Sequence, residues 1–217
     1  MLGMAAPARR PDRGRRKGGP LTACARLLLL LLVVPFVAGA GPGDDGRWHA
    51  GAYAFSDELG GFTIRAVSGT GTRSDPVVIV QELASASPVT LVIRATRVIR
   101  PFAMAGDPAN GFLYLRLETV NGSGAAWVAF GFELQEVRGE ASGYGDGLSF
   151  DQRRADSQRV GSDAFALHDS DFEPEDRLVF RGGKTDPGET AVFRFLVTDF
   201  TPVAEFYLVQ DPRIPYS

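Results

Sequence analysis

Short β-type runs separated by turn residues dominate this chain from residue 61 onward and constrain its fold more than any other feature. The runs are rich in Val, Ile, Phe, Thr and Leu, and most are bounded by Gly, Pro, Asn or Asp, a pattern typical of strands and turns. They comprise residues 62–67, 77–83, 89–99, 112–120, 127–137, 178–180, 190–198 and 206–209. The charged segment 151–176 differs from them, and we expect it to include a short helix or a long loop near Asp151–Val160.

Two of the runs alternate between apolar and other residues with a period of two. The apolar positions of the first are Val128, Phe130, Phe132 and Leu134. Those of the second are Ala191, Phe193, Phe195 and Val197. One apolar face at this period indicates a half-buried antiparallel strand.

Turn signals between the runs support the same fold class. In Asp186-Pro187-Gly188-Glu189, Pro presets φ at the second position and Gly supplies the positive φ that a type II turn requires. Asn121-Gly122 is suited to a tight link between the runs 112–120 and 127–137. The sequence therefore predicts an all-β domain over residues 61–217, a two-sheet antiparallel β-sandwich of about eight strands, Ig-like or jelly-roll-like. The Gly-, Asp- and Ala-rich residues 41–60 are predicted to be a flexible lead-in.

The first 40 residues are predicted to be a cleavable signal peptide. A basic stretch from Arg9 to Arg26 precedes an apolar run from Leu27 to Val37, and the small residues 38–40 form an A-x-A pattern, as in secretory signals. The apolar run is about half of the ~20 residues that a membrane-spanning helix needs. Cleavage after Ala40 would remove Cys24, the single cysteine. We therefore expect an exported, periplasmic or extracellular protein that has no membrane association after cleavage.

The charge of the chain is divided unevenly between the leader and the rest. Residues 1–40 hold seven of the 23 basic and one of the 26 acidic residues, which leaves 16 basic and 25 acidic residues, a formal net charge of −9, for residues 41–217. Nucleic-acid binding depends on neutralising phosphates with Lys and Arg. The composition therefore argues against a nucleic-acid partner. The partner itself stays open, with a glycan and a protein ligand as the alternatives.

An acidic cluster at 163–176 is a candidate calcium site. Asp169, Asp171 and Glu173 alternate along a short segment, and hard cations prefer several oxygen ligands from such a segment. The EF-hand pattern is broken, because Pro174 takes the place of its glycine. The alternatives are a calcium-stabilised domain and an acidic, solvent-exposed loop without a cofactor.

A glycine-rich segment around Tyr144 is a candidate ligand site. Three glycines surround Tyr144 and Asp146, which lets the backbone bend sharply and approach a ligand closely. Tyr144 would then be a stacking platform for a sugar ring, with Trp127 as a second aromatic. The alternatives are a tight turn or bulge for the segment and core packing for Trp127.

Catalytic motifs are not evident in the sequence. His49 lies in the predicted lead-in, and His168 precedes Asp169 without the oriented nucleophile that a catalytic triad needs. A nucleophile-elbow motif is also missing. The sequence therefore favours a non-enzymatic protein.

Several stretches resemble uncharacterised exported bacterial proteins, and are similar to β-sandwich domains of secreted proteins of the PEP-CTERM type. They are the runs at 121–127, 132–136, 144–150, 180–183, 186–190 and 206–208. The resemblance covers residues 75–210 without the C-terminal sorting tail. It implies an exported β-sandwich and assigns no activity or site residues.

Together these features predict an exported, non-enzymatic β-sandwich that acts as a binding or structural module. A carbohydrate-active protein, either a lectin or a glycosidase, is the alternative, with Tyr144, Trp127 and the acidic residues at 169–176 as its site.

Overall fold

The protein is a β-sandwich of two packed sheets, seen in a computed structural model that describes residues 41–103, 108–143, 145–150, 160–171 and 176–215. These residues form thirteen strands and no helix. The strands are β1 (Trp48–Ala50), β2 (Tyr53–Ser56), β3 (Phe62–Ser68), β4 (Val77–Leu83), β5 (Val89–Ala95), β6 (Phe112–Asn121), β7 (Trp127–Gln135), β8 (Leu148–Phe150), β9 (Gly161–Ser162), β10 (Phe165–Asp171), β11 (Arg177–Thr185), β12 (Thr190–Asp199) and β13 (Glu205–Arg213). The predicted all-β sandwich is confirmed.

The seven-stranded sheet has the order β1-β2-β5-β13-β7-β11-β10, and the six-stranded sheet has the order β3-β4-β6-β12-β8, with β9 also paired to β12. All strand pairs are antiparallel except β4 with β6. This parallel pair departs from the prediction of an antiparallel sandwich. It arises because the strand between them in sequence, β5, lies in the opposite sheet and carries the chain back to the same end.

The lead-in predicted for residues 41–60 is wrong as a description of residues 48–56. This segment forms β1 and β2, and β2 pairs with β5 in the seven-stranded sheet. Phe55 of β2 is fully buried. The reason is tertiary: alternate side chains of this Gly- and Ala-rich segment complete the core only once a strand distant in sequence is beside it.

Aromatic side chains from both sheets meet at the centre of the core. Phe193 of β12 has its ring centroid 4.6 Å from that of Phe130 and 5.1 Å from that of Phe132, both on β7 in the opposite sheet. Phe180 on β11 is 5.2 Å from the same ring. All four are buried, as the period of two predicts for three of them. The prediction that Val128 lies on the buried face of its strand is wrong, because 38% of this residue is exposed, whereas its neighbour Trp127 is buried.

A buried amide pair also joins the two sheets. Gln81 of β4 donates from Nε2 to Gln210 Oε1 on β13 (2.5 Å) and to Thr119 Oγ1 on β6 (3.0 Å). Gln210 Nε2 donates back to Gln81 Oε1 (3.2 Å). All three side chains are completely buried. The core is therefore pinned across the sandwich by hydrogen bonds as well as by apolar packing.

The two predicted links both connect one sheet to the other. The turn at 186–189 is confirmed: Glu189 N donates to Asp186 O (3.0 Å), and Gly188 has a φ of 84°. The prediction of a tight hairpin link at Asn121-Gly122 is wrong, because β6 and β7 belong to different sheets. Asn121 is buried at the end of β6, and its Nδ2 donates to Ala125 O and Thr185 O (both 2.9 Å). The side chain thereby satisfies backbone groups that the change of sheet leaves without a strand partner.

Gly111, before β6, has no space for a side chain. Its φ is 81°, and a Cβ would lie 2.0 Å from Asp199 O. We expect Gly111→Ala to lower the free energy of unfolding by about 2 kcal/mol, because a left-handed backbone conformation and a backbone clash are both imposed. Urea denaturation measures this loss. Gly139→Ala is the matched control, since Gly139 has a φ of 88° and no atom within 4 Å of such a Cβ. Equal losses for the two variants would contradict the close approach at Gly111.

Candidate functional site

The glycine-rich segment around Asp146 forms a turn that leads into β8. Asp146 accepts hydrogen bonds from Gly143 N (3.2 Å) and Leu148 N (3.0 Å) through its carboxylate. Gly147 has a φ of 86°. Thr201 Oγ1 donates to Asp146 O and ties the turn to the neighbouring loop. Asp146 therefore has a turn-forming role in the structure. Tyr144, predicted as a stacking platform, lies outside the described residues.

Trp127 was predicted as a ligand-binding residue, and the structure instead places it in the core. Its side chain is fully buried, and its ring centroid lies 5.3 Å from that of Phe130. Its Nε1–H donates to Ser123 Oγ (3.2 Å). The indole is thus enclosed by the core on its apolar surface and satisfied at its polar atom, so that no face is open to a sugar ring.

Of the three predicted calcium ligands, Asp169 is the one whose side chain the structure describes. Asp169 and Asp171 belong to strand β10 rather than to a loop, and Glu173 lies outside the described residues. The Asp169 carboxylate binds the Arg181 guanidinium, with distances of 2.6 Å to Nε and 2.7 Å to Nη2. No group of three or more His, Cys, Asp and Glu side chains suited to a metal ion occurs among the described residues.

An open groove of about 500 Å³ at one end of the sandwich is a site that the sequence analysis missed. We call it the end groove. Four separate segments line it: the β1–β2 corner, the loop after β3, Arg97 after β5, and the stretch from Pro108 to the beginning of β6. Its lining residues are Gly51, Ala52, Tyr53, Thr70, Gly71, Thr72, Arg73, Arg97, Pro108, Asn110, Phe112 and Tyr114.

Backbone hydrogen bonds hold these segments together. Thr96 N donates to Ala52 O (2.9 Å) and places Arg97 beside the β1–β2 corner. Tyr114 N donates to Gly71 O (3.0 Å), which fixes the loop after β3 against β6. Asn110 is a third connection: its Oδ1 accepts from Phe112 N (3.1 Å) and its Nδ2 donates to Ala103 O (3.2 Å). The groove is therefore built by a rigid framework.

The lining of the end groove includes two arginines and several uncharged polar groups. Arg73 and Arg97 are both exposed, and Thr70, Thr72 and Asn110 add hydrogen-bonding side chains. Tyr53 is a neutral phenol at neutral pH, and burial raises its pKa further, to about 12. Among the described residues that line the groove, none carries a carboxylate. A local surplus of cationic groups in a domain of net charge −9 favours an anionic ligand.

An exposed aromatic pair borders the end groove, and we call it the aromatic rim. The rings of Phe102 and Phe200 are stacked, with centroids 5.6 Å apart. Phe102 is 60% exposed and Phe200 is 49% exposed. Phe102 also contacts Phe112, a groove residue, with centroids 6.3 Å apart. The rim and the groove are consequently parts of one continuous surface.

Backbone strain accompanies the exposed ring of Phe102. Its φ is 60°, the one positive φ at a non-glycine residue within the described ranges. For a bulky residue this conformation costs of order 1–3 kcal/mol and occurs preferentially at ligand sites. Exposure and strain together make Phe102 a candidate for an intermolecular contact.

One signal in the sequence could have revealed the site. Strand β6 alternates, and its buried positions are Leu113, Leu115 and Leu117. The other face carries Phe112 and Tyr114, aromatic residues in positions where a solvent-facing strand has polar ones. The contributions of Arg97 and the loop after β3 could not be found this way, because they depend on pairings between distant segments.

Comparison with protein-family models, curated proteins and solved structures finds no match to this chain. Within the residues described, no helix is long and apolar enough to span a membrane. The chemistry of the end groove is therefore the basis on which a function is assigned.

Proposed function

We propose that this chain is an exported binding module that holds an acidic carbohydrate in the end groove. The observation that carries the proposal is the combination of Arg73 and Arg97 with the aromatic rim on one open surface. Export is supported by the basic, apolar and small-residue regions of positions 1–40. The proposal assigns a binding role and no catalytic group.

Each part of the surface matches one feature of an acidic sugar. Guanidinium groups bind carboxylates through paired, charge-assisted hydrogen bonds. Aromatic side chains pack against the apolar face of a sugar ring, and Phe102 and Phe200 are both exposed. Threonine and asparagine side chains supply donors and acceptors for hydroxyl groups. A neutral glycan would make no use of the charge of the arginines, and a small inorganic anion would make no use of the aromatic rings.

Removing one arginine of the groove tests the proposal. We expect Arg97→Ala to weaken binding of a uronate oligosaccharide, hexagalacturonate, by roughly tenfold to a hundredfold, as for loss of a charge-assisted hydrogen bond. Affinity should also fall as salt is raised, because exposed charges are screened. Isothermal titration calorimetry of the purified protein measures both effects.

Arg213→Ala is the matched control. It removes the same charge from the seven-stranded sheet, where Arg213 pairs with Asp211 (3.0 Å) outside the end groove. Poly-glutamate and dextran separate the two kinds of recognition: the first offers carboxylates without sugar rings, the second sugar rings without carboxylates. Equal binding of poly-glutamate and hexagalacturonate, or an Arg97→Ala effect no larger than that of Arg213→Ala, would contradict the proposal.

A further inference from the structure

The end groove continues into a second depression on the outer face of the six-stranded sheet. This depression has a volume of about 100 Å³ and is lined by Arg73, Pro76, Tyr114, Leu115, Arg116, Arg194 and Phe195. Arg73 and Tyr114 line both depressions. The two therefore meet at these side chains, and a ligand that occupies the end groove can extend across Tyr114.

Two arginines stand directly opposite each other in the second depression. Arg194 of β12 is the cross-strand partner of Arg116 on β6. Like charges in this arrangement destabilise a sheet, so that the pair costs stability instead of contributing it. Both side chains are partly exposed, which leaves them accessible to a ligand.

Only one member of the pair is neutralised in the part of the chain that the structure describes. Arg116 Nε donates to Glu118 Oε1 (2.9 Å), a neighbour on its own strand. No carboxylate among the described residues pairs with Arg194. An oxyanion between the two guanidinium groups would remove the repulsion and receive several donors at once.

The spacing along β6 sets a minimum length for such a ligand. Phe112, Tyr114 and Arg116 alternate on one face of the strand. At about 3.4 Å per residue, Phe112 and Arg116 are separated by roughly 13 Å. This distance exceeds one hexose ring, so that contact with both ends requires a chain of linked sugars.

We infer that Arg116 and Arg194 form a second carboxylate subsite, and that the ligand is an extended polyuronate that runs along β6 from the aromatic rim. This inference rests on the proposed function and specifies its substrate class: a polymer with acidic groups at more than one position. The end groove binds one part of the polymer, and the arginine pair binds an acidic group further along.

A chain-length comparison tests the inference. We expect Arg194→Gln to weaken binding of hexagalacturonate by roughly tenfold and to leave binding of digalacturonate nearly unchanged, because the shorter ligand does not reach from the end groove to Arg194. Arg97→Ala should weaken both ligands. The purified protein is titrated calorimetrically with each ligand.

The thermal stability of the variant supplies a second measurement. Arg194→Gln should melt at the same temperature as the parent protein or higher, since the repulsion with Arg116 is relieved. Lower affinity combined with undiminished stability separates a binding role from a structural one. A clear fall in melting temperature would indicate that Arg194 stabilises the fold and would contradict the subsite.

The remaining outcomes separate this inference from the proposed function. If hexagalacturonate binds with dependence on Arg97 but Arg194→Gln has no effect, the subsite is wrong and the end-groove function stands. If neither uronate binds, the proposed function itself is wrong. If Arg194→Gln weakens both ligands equally, the arginine pair belongs to a single short site and the extended ligand is wrong.

Discussion

Phe193→Ala is expected to lower the free energy of unfolding by about 3–5 kcal/mol, the range for truncating a buried phenylalanine. Phe193 is fully buried and packs against rings from both sheets, including Phe130 at 4.6 Å and Phe132 at 5.1 Å. Truncation removes apolar contact area and leaves a cavity that rigid neighbouring rings cannot fill. Urea denaturation followed by tryptophan fluorescence measures the change, and an unchanged m-value would show that the transition remains comparable.

The matched control is Phe200→Ala on the aromatic rim. Its side chain is 49% exposed, so that its truncation leaves no enclosed cavity and should cost about 1 kcal/mol or less. The difference between the two variants measures the contribution of the central aromatic packing. Similar losses for both would contradict the placement of Phe193 at the centre of the core.

Gln81→Met is expected to destabilise the protein by about 3 kcal/mol, although it replaces a polar core residue with an apolar one of similar size. The variant removes the partner of two buried groups, Gln210 and Thr119, and each unsatisfied buried group costs about 1–3 kcal/mol. The effect should be measured by the same denaturation experiment. Because the lost interaction joins the two sheets, the cooperativity of the unfolding transition should also be monitored.

The double variant Gln81→Met with Gln210→Met gives the decisive comparison. It replaces both amides with apolar groups, and the stranded amide of each single variant is no longer present. We expect the double variant to lose clearly less stability than the sum of the single losses, as for directly coupled residues. Simple additivity would contradict the amide pair seen between β4 and β13.

The long, regular strands could be predicted because the alternation of apolar and polar residues that identifies them lies within each strand. The apolar period of two in the run 190–198 is sufficient to place Phe193 and Phe195 in the core, where both are buried. Strand β4 was predicted with its observed limits, Val77–Leu83. The short strands were missed because too few residues repeat the pattern: β8 has three residues and β9 has two.

Features made by distant pairings could not be predicted. β2 becomes a strand by pairing with β5, and nothing within residues 53–56 specifies that neighbour. Gln81 occupies an apolar row of β4, and its partner Gln210 is 129 positions away. A single sequence shows that a polar residue stands on a core face, but it does not show what satisfies it.

The candidate site could not be predicted either, because it too is formed by segments that are distant in sequence. The sequence directed attention to Tyr144, Trp127 and the acidic cluster, because each is conspicuous within a short window. The end groove instead collects Arg97, Tyr114 and the loop after β3 from three separate parts of the chain. No single residue of the groove forms a recognisable motif in the sequence, and the order of the strands in the sheets places these residues on one surface.

The position of β13 determines when this fold can form. β13 spans residues 205–213 and lies between β5 and β7, in the middle of the seven-stranded sheet. Its ladder hydrogen bonds are what join β5 to β7. Without β13, the seven-stranded sheet consists of two separate parts, β1-β2-β5 and β7-β11-β10. Contacts between segments far apart in sequence slow folding because loop closure is required first. The seven-stranded sheet can therefore form as one sheet only after residues 205–213 have been synthesised.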